Sequence, residues 1–161
     1  MIYEKIIEDG HSILVKYNLY GWEIKFDNAK QRFGLCSYRK KTISLSKELV
    51  YLNQHQYDKI YETLLHEIGH ALSYTRYGSN GRGHGWLWKA CVKELGGNPT
   101  RCYNYNEVVS PKGKYKYVCS KGHERFFFKK LKGRYSCSVC GEKHNTKGFV
   151  EKFLLNFVGV E

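Results

Sequence analysis

His66-Glu67-Ile68-Gly69-His70 is the stretch on which the reading of this 161-residue chain turns. It lies inside a longer pattern, residues 54–77, in which Ile60, Leu64, Ile68 and Leu72 recur every four residues while Tyr61 and Leu65 widen the stripe. That period is helical, with Gly78 as its terminator. Residues four apart share one helix face, so the two imidazoles of an H-E-x-x-H sequence can turn to the same ion. Glu67 follows the first histidine by one position, where its carboxylate reaches a metal-held water without ligating. Zinc lowers the pKa of such a water towards about 7, and the glutamate would take its proton as general base and return it to a leaving amine. Two helical histidines alone can be ordinary core or surface residues. The helical register and a third ligand raise this pair above that.

Catalytic zinc usually takes three protein ligands and leaves one position for water. The extended motif H-E-x-x-H-x-x-G-x-x-H does not continue here, because Ser73 and Arg76 occupy the third and sixth positions beyond His70. Glu94 sits late in the next helical pattern, among apolar neighbours. His84 is better placed, at the end of the loop Gly78-Ser79-Asn80-Gly81-Arg82-Gly83-His84-Gly85. Its glycines let a second helix fold back beside the first, and Gly83 and Gly85 permit close backbone approach. That helix carries Leu87, Cys91 and Leu95 on one side and ends at Gly96-Gly97, with Pro99 just beyond. The loop lacks the G-K-[ST] ending of a phosphate cradle. Tyr74, Tyr77 and Arg82 are available to stabilise an oxyanion, and none is assigned.

Upstream, residues 2–19 have helical tendencies interrupted at Gly10, and Trp22-Glu23-Ile24-Lys25-Phe26 alternates as a strand does. Arg32-Phe33-Gly34-Leu35-Cys36-Ser37 and Thr42-Ile43-Ser44-Leu45-Ser46 flank a basic turn and read as a hairpin. Residues 102–114 read as a linker. No segment nears the roughly 18 apolar residues of a membrane span, and the acid-dotted N-terminus is no signal peptide. The expected location is therefore cytoplasmic, with no membrane partner and a monomeric state.

Six cysteines are unevenly spread: Cys36, Cys91 and Cys102 lie apart, while Cys119, Cys137 and Cys140 cluster with His123. In an intracellular chain such a cluster is more often a metal site than a disulfide framework. Cys119-Ser120-Lys121-Gly122-His123 and Cys137-Ser138-Val139-Cys140-Gly141 form two knuckles 13 residues apart, and three thiolates with one imidazole suit tetrahedral structural zinc. His123 departs from the commoner C-x-x-C knuckle, which leaves His144 in reserve. Residues 125–131 and 134–136 fit a hairpin turning at Lys132-Gly133. The closing stretch, residues 149–158, satisfies strand and helix periods almost equally and reads as packing.

Net charge is +12, and residues 111–161 carry 12 Lys/Arg against 4 Asp/Glu. Such a field attracts polyanions, of which nucleic acid is the commonest inside cells. Phe126-Phe127-Phe128-Lys129-Lys130-Leu131-Lys132, with Arg134 nearby, pairs rings with cations as single-stranded nucleic acid requires. Alternation along a strand turns Phe127 away from Phe126 and Phe128, so Phe127, Lys129, Lys130, Lys132 and Arg134 are the candidate DNA contacts.

Taken together, His66-Glu67-x-x-His70, a 13-residue spacer, His84-Gly85-x-x-Trp88 and then Leu95-Gly96 resemble the SprT-like metallopeptidase family, which includes the Spartan-type proteases. Gly34-x-Cys36 followed by Ile43-x-Leu45 is similar to the hairpin before the motif in that family, and the likeness runs over residues 22–141. The resemblance implies an α+β fold: a zincin-like minimal metallopeptidase domain over residues 1–110, built of helices and a small antiparallel sheet, then a basic zinc-ribbon β module over residues 111–161. It implies one catalytic Zn2+ on His66, His70 and His84 with Glu67 as acid–base, and one structural Zn2+ on Cys119, His123, Cys137 and Cys140. Trp88 matches an aromatic position whose role is core packing. The implied activity is a zinc endopeptidase acting on proteins attached to DNA, as in repair of DNA–protein crosslinks. The competing reading is a non-catalytic, zinc-containing DNA-binding protein, and a hydrolase of another amide is a third.

Overall fold

The computed structural model describes residues 1–100 and 108–161. They fall into two compact units, Met1–Pro111 and Lys112–Glu161. In the first, α1 (Ile2–Lys16) precedes the strands β1 (Glu23–Asp27), β2 (Gly34–Ser37) and β3 (Thr42–Ser46). The helices α2 (Lys47–Leu52), α3 (Tyr57–Tyr77) and α4 (Trp86–Glu94) follow. α1 runs straight through Gly10, against the interruption expected there. A Cβ on Gly10 would stand 2.1 Å from Ile24 Cδ1, so the glycine marks where helix and sheet meet closely. The helix accepts the roughly 1 kcal/mol propensity loss of glycine relative to alanine in exchange for that contact.

The sheet order is β1-β3-β2. β2 and β3 form the expected antiparallel hairpin, with Cys36 opposite Ile43 and Gly34 opposite Leu45. β1, however, pairs parallel with β3, Ile24 beside Ile43, so the sheet is mixed rather than antiparallel throughout. The third strand returns between the first two. Ile43 and Leu45 are fully buried, as the alternation requires. Ser46 then couples the sheet to α2: its Oγ accepts the Leu49 N–H and donates to the Ala29 carbonyl.

α3 starts at Tyr57, three residues later than the periodicity begins, and stops at Gly78, whose φ of 59° ends it. Ile60, Leu64, Leu65, Ile68, Ala71 and Leu72 are buried along it. On α4 the buried side is Trp88, Cys91 and Val92, while Leu87 is half-buried. The stripe is thus set one residue over from the one expected. α3 and α4 approach closely because Gly69 faces Val92; a Cβ there would lie 2.3 Å from Val92 Cγ2. The loop between the helices is pinned in the same way. A Cβ on Gly81 would lie 2.2 Å from the Ser73 carbonyl oxygen.

Of the expected linker, residues 102–107, including Cys102, lie outside the described residues. Val108 and Val109 belong to the first unit. The Asn53 amide donates to the Val109 carbonyl at 2.8 Å and accepts its N–H at 2.7 Å, and Val108 packs against the core.

The second unit contains β4 (Tyr115–Cys119), β5 (Glu124–Phe127), α5 (Ser138–Lys143) and β6 (Leu155–Val160), in an antiparallel sheet of order β5-β4-β6. The hairpin expected at Lys132-Gly133 is absent. β5 pairs back onto β4 across the Cys119–His123 knuckle, where Gly122 has a φ of 79°, and residue 136 makes only an isolated bridge to Leu154. The knuckle itself is the turn. The ambiguous closing stretch resolves into a short 3-10 turn (Glu151–Phe153) and β6. Among the described residues, no helix is long and apolar enough to cross a membrane.

Gly69→Ala and Gly81→Ala should each destabilise the first unit by about 1–3 kcal/mol. Gly81→Ala should cost more, because the obstructing atom is helix backbone. All three tryptophans lie at positions 22, 86 and 88, so denaturant titration followed by tryptophan fluorescence reads this unit selectively.

Candidate metal centres

The interior of α3 presents His66, Glu67 and His70 to one side, and the loop after it delivers His84. The Nε2 atom of His84 lies 3.1 Å from His66 Nε2 and 3.2 Å from His70 Nε2. An sp2 ring nitrogen carries one proton or one in-plane lone pair, enough for one hydrogen bond and not two. Three lone pairs on one tetrahedral zinc, with Zn–N near 2.0–2.1 Å, stand about 3.3 Å apart. The triad fits that spacing. Trp88, fully buried, floors it: its ring centroid is 4.7, 5.2 and 4.6 Å from those of His66, His70 and His84. Its Nε1–H donates to the His66 carbonyl. Trp88 is core, as expected, and it is also the surface on which the three imidazoles rest.

Residues 5–108 match the SprT-like family. The chain belongs to that family. Protein SprT of Pseudomonas putida strain W619 is 26% identical to it over 130 residues, covering 74% of this chain and 77% of that protein. Protein SprT of P. putida strain F1 is 25% identical over the same length and shares.

Electrostatics within this SprT-like site keep the two α3 imidazoles neutral. Burial, reinforced by the His84 ring, lowers His66 to about 4, against a hydrogen bond from the ring to the Thr100 carbonyl. Burial and the other two rings lower His70 to about 3. Neutral nitrogens are what a cation requires. Glu67 moves the other way. Burial raises it to about 7, opposed by the Cys36 N–H it accepts and by Arg32. β2 lies directly on this carboxyl: a Cβ on Gly34 would be 2.7 Å from Glu67 Cγ. Glu94, a ligand candidate by residue type, is instead held in two hydrogen bonds to Arg76 at 2.6 and 2.9 Å.

In the second unit Cys119, His123, Cys137 and Cys140 come together. Cys119 Sγ and Cys140 Sγ are 3.8 Å apart, and His123 Nδ1 lies 3.5, 3.2 and 3.8 Å from the sulfurs of Cys119, Cys140 and Cys137. Tetrahedral zinc with Zn–S near 2.3 Å places two sulfurs about 3.8 Å apart and a sulfur and a nitrogen about 3.6 Å apart. The donor set fits. These cysteines are free thiols, as are Cys36 and Cys91. Burial works against the Cys119 thiolate, but the N–H groups of Lys121 and His123 outweigh it and lower the pKa. Burial and the neighbouring thiols raise that of Cys140. His144, the reserve ligand, stacks on Phe153 instead.

Of the candidate DNA contacts, Lys129, Lys130, Lys132 and Arg134 are exposed, though Arg134 pairs with Glu151. Phe127 is a packing ring, edge-on to Tyr117 in the ribbon core. Phe126 sits on the other face under Lys112, whose charge is matched by Glu161. The exposed ring beside the lysines is Phe157 of β6, 43% accessible and capped by Lys130 at 4.9 Å. It lies 27 positions from Lys130, in a stretch whose period is ambiguous, and only strand pairing reveals it.

Glu67→Gln should stabilise the metal-free first unit. In the wild type, Glu67 holds its proton to about pH 7 in the fold but only to about 4.5 unfolded. The folded state therefore binds more protons in that window and loses stability as pH rises through it. The variant's advantage should be near zero at pH 4 and reach about 3 kcal/mol above pH 7. Tryptophan-monitored denaturation at both pH values, with chelator present, checks it.

Proposed function

We propose that this chain is a zinc-dependent endopeptidase of zincin-like architecture, acting on proteins associated with DNA. The observation that carries it is the convergence of three imidazole Nε2 atoms beside the carboxyl of Glu67. In this reading His66, His70 and His84 hold the catalytic zinc, and Cys119, His123, Cys137 and Cys140 hold a structural one. Bound zinc supplies Lewis acidity, which acidifies water and polarises a peptide carbonyl. The protein supplies the proton traffic. A carboxyl poised near pH 7 can accept a proton at one Oε and release it to a leaving amine with little loss in either direction. β2 backbone and the Cys36 N–H hold that carboxyl in place, and Trp88 excludes water from beneath the triad.

The second unit serves as the anchor. Half of its six buried core residues are Cys119, Cys137 and Cys140, so its folding free energy rests on a metal rather than on apolar burial. Its excess of cations and the Phe157–Lys130 pair give a strand of nucleic acid both charge and a stacking face. A peptidase tethered this way meets proteins already on DNA. The buried, proton-ready Glu67 speaks against a purely DNA-binding role, which has no use for it.

Digestion of a DNA-binding protein, with and without single-stranded DNA, tests the activity. Glu67→Gln should lower cleavage at least about 100-fold. Both proteins should retain two zinc ions per chain, while His84→Ala and Cys137→Ser should each retain one. Undiminished cleavage by the Glu67 variant would sink the mechanism, and no cleavage by either would favour the DNA-binding reading. Replacing Lys129, Lys130 and Lys132 together by Glu should weaken single-stranded DNA binding and flatten its salt dependence, the slope falling by about 0.7 for each phosphate that is no longer neutralised.

A further inference from the structure

Tyr38 carries no motif; it opens the basic turn between β2 and β3. In the fold its hydroxyl stands 3.4 Å from His70 Nδ1, the nitrogen on the far side of that ring from the triad. The same oxygen accepts the backbone N–H of Gly83, the residue before His84. Its ring lies against Tyr74 of α3, centroids 4.6 Å apart, and the Arg82 guanidinium covers both rings at 5.4 and 5.2 Å. One phenol therefore touches the hairpin, the helix bearing two of the histidines, and the loop bearing the third.

We infer that Tyr38 is the positioning residue of the histidine site: its hydroxyl fixes the ring of His70 and ties the His84 loop to it, so that the three Nε2 atoms converge before an ion arrives. The inference rests on the metal-site reading above. Its chemistry follows from proton counting. An imidazole that offers Nε2 to a cation must carry its proton on Nδ1, which then has to donate. A phenolic oxygen has two lone pairs. One takes the Gly83 N–H and the other takes the His70 Nδ1–H, so both donors are satisfied by a single atom. His66 solves the same problem separately, through the Thr100 carbonyl. Because the phenol is an acceptor to both segments, it selects the metal-binding tautomer of His70 and the loop position of His84 together.

Tyr38→Phe removes that oxygen and keeps the ring against Tyr74 and under Arg82. Zinc alone, titrated against a competing chelator, should bind the histidine site about 10–100-fold more weakly in this variant. Affinity at the cysteine site should be unchanged, and Tyr74→Phe should leave both sites as they are. In the zinc-loaded wild type, nitrogen-15 NMR should show the His70 Nδ1–H as a slowly exchanging proton, a measurement that needs no variant. Equal zinc affinity in Tyr38→Phe, or a His70 Nδ1–H exchanging as fast as a solvent-exposed imidazole, would overturn the inference while leaving the peptidase reading intact. Failure of the wild-type histidine site to bind zinc would overturn both.

Discussion

The crowding of three imidazoles over one indole is the constraint around which the first unit is organised. A ring nitrogen one hydrogen-bond length from two others cannot satisfy both, so the arrangement survives only where the rest of the fold imposes it. α3 supplies two rings at fixed spacing, and Trp88 closes the space beneath them. Gly69 lets α4 come close enough for its indole to reach, and Gly81 seats the loop against the Ser73 carbonyl. Remove either close approach and His84 has no reason to meet the other two.

Burying this much polarity on a helix carries a cost, and the distribution of that cost is informative. His66 and His70 stay neutral far below their ordinary range, and Glu67 keeps its proton far above its own, all mainly because water is excluded. A structural helix would bury leucines at these positions. Here α3 packs its apolar residues into the core and turns the buried Glu67 and His70 to the histidine site. The sheet takes part as more than a support, since the Cys36 N–H binds the Glu67 carboxyl and the turn beyond it delivers Tyr38.

The second unit solves a different problem. Apart from its cysteines, Tyr117, Phe153 and Leu155 are the buried hydrophobic side chains of its core, too little apolar surface to fold by burial alone. Its knuckle doubles as the β4–β5 turn, so the residues that gather the ligands also fix the strand register. Lys129, Lys130, Lys132 and Arg134 remain exposed around it.

The H-E-x-x-H helix, the glycine loop, His84 and the cysteine cluster are legible in the sequence because each is announced by short-range spacing: four residues on a helix, two or three in a knuckle, glycine where the backbone must turn. What the chain alone leaves open depends on contacts between distant segments. The parallel seat of β1, the continuity of α1 through Gly10, the true partner of β5, the exposure of Phe157 where Phe127 packs inward and the position of Tyr38 all belong to that class. Periodicity reports which face of an element is apolar, but not what lies against it. Tyr38 and His70 are 32 positions apart and share no pattern; only packing of the hairpin on α3 brings a hydroxyl to the one imidazole nitrogen that needs an acceptor.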